Sequence, residues 1–191
     1  MQDENKKIKL IKEILGNVLF LAVVVGGTFL LITYVGQRTK VSGRSMEPTL
    51  NDGDNLIADK ITYRFRDPER FDIIVFPVEN GSEDPQNSYY IKRIIGMPGE
   101  TVMIDEDGII YIDGEALTEG YGKEIIASTH RGLAESEITL SEDEYFVLGD
   151  NRNNSEDSRS PIVGNIKRER IIGRAWLRFW PFQNFGILKH Q

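Results

Sequence analysis

Apolar and polar positions divide the chain into one long hydrophobic run followed by many short ones. From Ile14 to Gln37 there are 24 residues without a charge, including VLFLAVVVGGTFLLITYV. At about 1.5 Å per residue this makes roughly 36 Å of helix, enough to cross a ~30 Å hydrocarbon layer once. A cleavable signal peptide is the competing reading, but its apolar core spans only about 7–15 residues. Gly26-Gly27 lies mid-run, where a bilayer helix tolerates glycine. The pattern predicts a transmembrane anchor over 14–37, behind a polar N-terminal segment over 1–13.

From residue 38 onward the period shortens. NLIADKI, FDIIVFPV, YYIKRII, TVMI, IIYIDG, EYFVLGD and IIGRAWLRFW read as strands. Between them stand turn pairs such as Asn80-Gly81, Pro98-Gly99, Asp107-Gly108 and Asp113-Gly114. Many short strands at close spacing predict a mostly β domain over 38–191, a β-sandwich or partly open barrel rather than βαβ units. Residues 105–143 are expected to form a hairpin and a looser polar excursion, with DEDG at 105–108 as a solvated turn rather than a metal site. Near the end, Trp176, Phe179, Trp180, Phe182 and Phe185 read either as core and strand-end residues or as a rim that dips into a membrane interface, where Trp is favoured.

Composition narrows the function classes. A length of 191 residues suits one domain plus an appendage. The absence of cysteine excludes thiol chemistry, Cys-ligated metals and disulfides. Of the net charge of −7, residues 1–13 carry +1, so the body beyond the anchor is distinctly acidic. That argues against nucleic acid as a partner. Lys6, Lys7, Lys9 and Lys12 precede the apolar run, and Arg38, Lys40 and Arg44 follow it. This small excess favours a cytoplasmic N-terminus.

The candidate chemistry begins at Ser45, in VSGRSMEPTL. Alone it is a turn serine, because a hydroxyl needs a base to become a nucleophile. His130 and His190, the two histidines, have no motif around them and read as surface residues. GRSME also fails the G-x-S-x-G nucleophile elbow. A lysine can serve instead if burial lowers its pKa. Lys92, in YYIKRIIGMPGE, sits in an apolar strand, and alternation puts Arg93 on the opposite face. Taken alone, that segment reads more simply as an amphipathic edge strand. A third stretch, GDNRNNSEDSRS at 149–160, is dense in hydrogen-bonding groups. A Ca²⁺ loop starting at Asp150 fails, since Arg152 falls at position 3 and no glycine at position 6. Asp157 and Arg159 alternate with Ser158 and can pair, and Ser155 is placed to orient a lysine amine.

SGRSMEPTL, RFDIIVF, YIKRIIGMPGE and GDNRNNSEDSR, in that order behind an anchor, resemble the type I (leader) signal peptidases, in their short, single-anchor Gram-positive form. The resemblance covers nearly the whole chain. It implies that Ser45 is the acylating nucleophile and Lys92 the general base, with Arg93 its structural neighbour. Ser155 would orient the lysine, Asp157 and Arg159 would form a supporting ion pair, and Met46 would shape the cleft. Gly43 stands where some members carry a serine whose hydroxyl helps form the oxyanion hole.

The implied activity is cofactor-free and metal-free removal of signal peptides from secretory preproteins, after small residues of Ala-x-Ala type. The enzyme would be a single-pass monomer of the cell membrane, in contact with lipid, with its catalytic domain on the extracellular face. Ser45 lies eight residues beyond Gln37, so an extended tether reaches only about 26 Å. That holds the nucleophile near the membrane surface. Two other readings stay open: a self-cleaving serine–lysine protease of the repressor type, and a non-catalytic or pilus-dedicated assembly protein on the same fold.

Overall fold

The computed structural model describes residues 2–77 and 89–189; the expected Asn80-Gly81 turn and His190 lie outside them. Helix α1 runs over Gln2–Tyr34. Strands follow as β1 (Gly36–Lys40), β2 (Asn55–Asp59), β3 (Ile73–Pro77), β4 (Tyr89–Gly96), β5 (Thr101–Ile104) and β6 (Ile110–Ile112). Then come β7 (Glu115–Ala116), β8 (Ile138–Thr139), β9 (Glu144–Leu148), β10 (Ile166–Lys167), β11 (Gly173–Trp180) and β12 (Gly186–Ile187). A one-turn helix, α2 (Thr62–Phe65), joins β2 to β3. The protein is therefore mostly β behind one apolar N-terminal helix.

The strands form two antiparallel sheets. Among the described residues the larger has eight strands, in the order β1-β2-β11-β3-β4-β9-β10, with β12 added against β11. The smaller is β7-β6-β5-β8, and three of its strands, β6, β7 and β8, fall within the stretch 105–143 expected as a hairpin and excursion. Asp113 and Gly114 both have positive φ, 50° and 79°, and form the two-residue β6–β7 turn that an Asp-Gly pair favours. Asp105 accepts the backbone N–H groups of Asp107 and Ile109, which closes the DEDG turn.

Three buried clusters hold the layers. Met46, Leu50, Leu56, Ile73, Val75 and Ile91 pack on one face of the large sheet. Ile74, Phe76, Ile94, Tyr145 and Val147 pack on the other. The third lies between the two sheets, with Val102, Ile104 and Ile110 of the small sheet packed on Phe146 and Leu148 of β9. β4 lies between β3 and β9, so both of its edges are paired, and with the clusters packed on its two faces residues 91–96 are all buried. Lys92 and Arg93 are interior residues, not edge residues.

The start of the body differs from the expected tether. The helix stops at Tyr34, and Gly36–Lys40 is a strand registered against Asp59–Asn55. Polar GQRTK gives no apolar alternation to announce a strand; only Thr39 is buried there. A Cβ at Gly36 would stand 3.0 Å from the Ile57 side chain, so glycine is what lets the chain turn into the sheet. The Lys60 N–H donates to the Val35 carbonyl, 2.9 Å. The Arg64 guanidinium lies 5.9 Å from the Tyr34 ring centre. The 21-residue segment Lys9–Phe29 is long and apolar enough to cross a membrane, and none of it is buried.

Candidate active site

Ser45 lies in the turn-rich segment between β1 and β2. The segment is pinned from inside by Met46 and Leu50, 1% and 0% exposed. Asp54 fixes its far end, accepting the Asn51 N–H and the Arg178 guanidinium. Lys92, in β4, donates to the Ser45 hydroxyl across 2.6 Å. It is 2% exposed. Burial pushes its ammonium down to about 8 from an ordinary 10.5, against the Asp157 carboxylate, which raises it, while Arg159 lowers it. The Tyr90 ring, on the same face by alternation, lies 5.2 Å from the amine. A hydroxyl bonded to a lysine this easily neutralised has the parts a nucleophile needs: a base in reach and a dry setting that favours the base's neutral form.

The other expected residues converge on this pair. Arg93 is fully buried and forks onto Asp150, at 2.9 and 2.7 Å. It also donates to the Phe71 carbonyl and lies 3.8 Å from the Tyr121 ring centre. Asp157 and Arg159 form a buried two-point pair, at 2.8 Å twice. Asp157 also accepts the Gly149 N–H, and Arg159 donates to the carbonyls of His130 and Arg152. Met46 floors the cleft as part of the core. Gly43 has φ of 89°, a region that favours glycine. Its N–H donates to Asp52 at 2.8 Å, and a Cβ there would meet nothing. His130 is exposed on a short 3-10 helix and takes no part.

Ser155 departs from expectation. Its Oγ is buried and has no hydrogen-bond partner among the described residues. It packs closely on Gly149, where an added Cβ would overlap Ser155 Oγ and the Ser45 carbonyl oxygen. Ser155 is therefore pressed onto the Gly149 backbone behind Ser45 rather than bonded to the lysine.

Reading the sequence missed Asp150 as a partner, and missed Asn151, Asn154 and Glu156. Asp150, fully buried, joins Arg93 to the Thr49 hydroxyl. An arginine inside an apolar strand requires such a carboxylate, and that was the available signal. Asn151 bonds to the backbone on both sides of Ser45. Asn154 and Glu156 line the cleft with Ser42, Ser45, Tyr90 and Lys92. This cleft encloses about 210 Å³ and is bounded by the Ser45 segment on one side and β4 on the other.

The chain is similar to known proteins over most of its length. The family model for signal peptidase, peptidase S26, matches residues 4–180. A probable signal peptidase I-2 of Synechocystis sp. is 41% identical over 157 residues, covering 82% of this chain and 68% of that one. Signal peptidase I of Leptolyngbya laminosa is 42% identical, covering 82% and 74%. Signal peptidase I of Bacillus caldolyticus is 38% identical, covering 88% and 91%. The chain belongs to the signal peptidase family, peptidase S26, and is a serine peptidase.

Proposed function

We propose that this peptidase removes signal peptides from secretory preproteins with Ser45 as nucleophile and Lys92 as general base. The observation that carries the reading is the 2.6 Å contact between the two side chains, one of them a buried amine. Neutral Lys92 takes the hydroxyl proton as Ser45 Oγ bonds to the scissile carbonyl carbon. The amine then protonates the leaving nitrogen, and the C–N bond breaks to leave an acyl-enzyme. Water attacks the ester with Lys92 again accepting the proton; the ammonium then returns it to Ser45 Oγ as the C–O bond breaks, which frees the product acid and Ser45. The Ser45 N–H, bonded to no backbone carbonyl among the described residues, is the donor for the oxyanion. Preorganised donors of this kind contribute roughly 3–4 kcal/mol to acyl transfer. Gly43 supplies no second donor, since its N–H is held by Asp52.

The anchor supports a membrane-bound substrate. In this reading Lys9–Phe29 crosses the cell membrane with the N-terminus cytoplasmic, and the β domain faces outward as a monomer. Trp176, Trp180, Phe182 and Phe185 are 41–73% exposed, and as a cluster they suit the headgroup layer. A preprotein cut after small residues just outside the lipid fits the shallow cleft beside Ser45. Purified protein in detergent should cleave a preprotein after an Ala-x-Ala site. Ser45→Ala and Lys92→Ala should each lose more than about a thousandfold in rate while melting as folded proteins. Full activity in folded Lys92→Ala would remove the dyad.

A further inference from the structure

Asn151 grips the nucleophile from both sides. Its side-chain Nδ2 donates to the Arg44 carbonyl at 3.0 Å, and its backbone N–H donates to the Ser45 carbonyl at 2.9 Å. The residue is 4% exposed, so the two bonds are made away from water. These carbonyls belong to the peptide units on either side of the Ser45 Cα. Holding both fixes the two backbone torsions of Ser45.

The planarity of the peptide unit turns this grip into a statement about the reaction. In a trans peptide the C=O of one residue and the N–H of the next point in opposite directions. With the Arg44 C=O drawn toward Asn151, the Ser45 N–H is turned away from it. The same unit is also bonded on its carbonyl side by the Glu47 N–H at 3.2 Å, so Asn151 sharpens an existing turn rather than creating one. Asn151 follows Asp150, which bonds to Arg93 of β4 and to Thr49. The grip is therefore anchored to the strand that carries Lys92.

We propose that Asn151 is a positioning residue that aims the Ser45 N–H at the developing oxyanion, in a site where Gly43 offers no hydroxyl for the purpose. The inference rests on Ser45 being the nucleophile. A donor misplaced by a fraction of an ångström loses much of its advantage in the transition state and little in the ground state.

The test uses the full-length protein in detergent, a preprotein substrate, an uncleavable peptide of the same sequence, and a peptide boronate that forms a tetrahedral adduct with serine. Asn151→Ala removes the Nδ2 bond and keeps the backbone bond. Its kcat should fall about 10- to 100-fold with KM within about twofold. Boronate affinity should fall by the same factor as kcat/KM, and the acid limb of the pH profile should stay near the wild-type position. Asn151→Asp keeps the shape without the donor and should behave alike; it is read in place of the alanine variant if that does not fold. A folded variant with kcat within threefold of wild type overturns the proposal. So does a loss shared equally by the uncleavable peptide, or one that follows a displaced acid limb. Ser45→Ala separates the two levels: if it still cleaves, the dyad itself is wrong. If it is dead while Asn151→Ala is fully active, only the role of Asn151 is lost.

Discussion

At the scale of the residue, Lys92, the proposed base, would carry both the chemistry and its cost. The proposed mechanism requires its neutral form, which burial brings within reach by lowering the pKa to about 8. In the free enzyme kcat/KM should therefore rise tenfold per pH unit below about 8 and level off above it. A rate–pH profile with its acid limb near 10, where an unburied lysine titrates, would show that another group is the base. The same shift has a stability counterpart. Between about 8 and the ordinary 10.5 the unfolded chain binds the proton that the folded one does not, so stability rises with pH across that window. Below it the folded state bears the full penalty, about 3 kcal/mol. Lys92→Met removes the penalty and loses one hydrogen bond to Ser45, about 1 kcal/mol. It should be inactive yet about 2 kcal/mol more stable at pH 7, the gain fading toward pH 10.5. Thermal melts across that range check it, and a destabilised variant at pH 7 would contradict the assignment.

At the scale of the element, β4 is where the site is made, since it presents Lys92 to one face and Arg93 to the other. The fully buried Arg93–Asp150 pair ties β4 to the end of β9. Removing one member leaves the other's charge buried and unpaired, which costs about 3–5 kcal/mol. Asp150→Leu should therefore lower stability by that amount, and adding Arg93→Met should recover most of it, as measured by denaturant unfolding. Additive losses in the double variant would mean that the pair is not coupled. β4 was legible because its apolar alternation is interrupted by two cations, and β2, β3, β5, β9 and β11 were legible for similar reasons. β1 was not, because a polar edge strand is recognised only by its partner. β7, β8, β10 and β12 have two residues each, too few to show a period. The partners of Asp150 and Asn151 escaped for another reason. They lie 57 to 107 positions away, and no local pattern records a contact over that distance. Ser155 lies near Gly149 and the Ser45 carbonyl, but its contact depends on how closely Gly149 lets the chains approach, which no local pattern records.

At the scale of the whole molecule, the question is what joins the apolar helix to the cleft. A slack tether would let Ser45 range freely below its limit. Instead the chain enters the sheet two residues after α1, as a strand that pairs over five residues with β2. Arg38 then fastens that strand sideways, donating to Asn55 at 2.9 Å and lying over the Phe179 ring. If the apolar helix is a membrane anchor, as proposed, the height of the cleft above the membrane is set by the sheet rather than by the length of loose chain. Two truncations separate the roles of the helix and the strand. Removing residues 1–34 leaves β1 whole, so the melting temperature should stay within about 3 °C, the equivalent of roughly 1 kcal/mol for a domain of this size. That protein should still cut a short soluble peptide at near the full-length rate, but should lag at least tenfold on a preprotein embedded in vesicles, where it loses the anchor's local concentration. Removing residues 1–40 also strips β1 from β2 and forfeits several backbone hydrogen bonds at about 1 kcal/mol each. A loss of roughly 3 kcal/mol should lower the melting temperature by about 6–12 °C, and activity on the soluble peptide should fall with it. Equal melting temperatures for the two truncations would return β1 to the status of a tether. Equal rates on the embedded preprotein, with and without residues 1–34, would remove the anchor from the account of how substrate reaches Ser45.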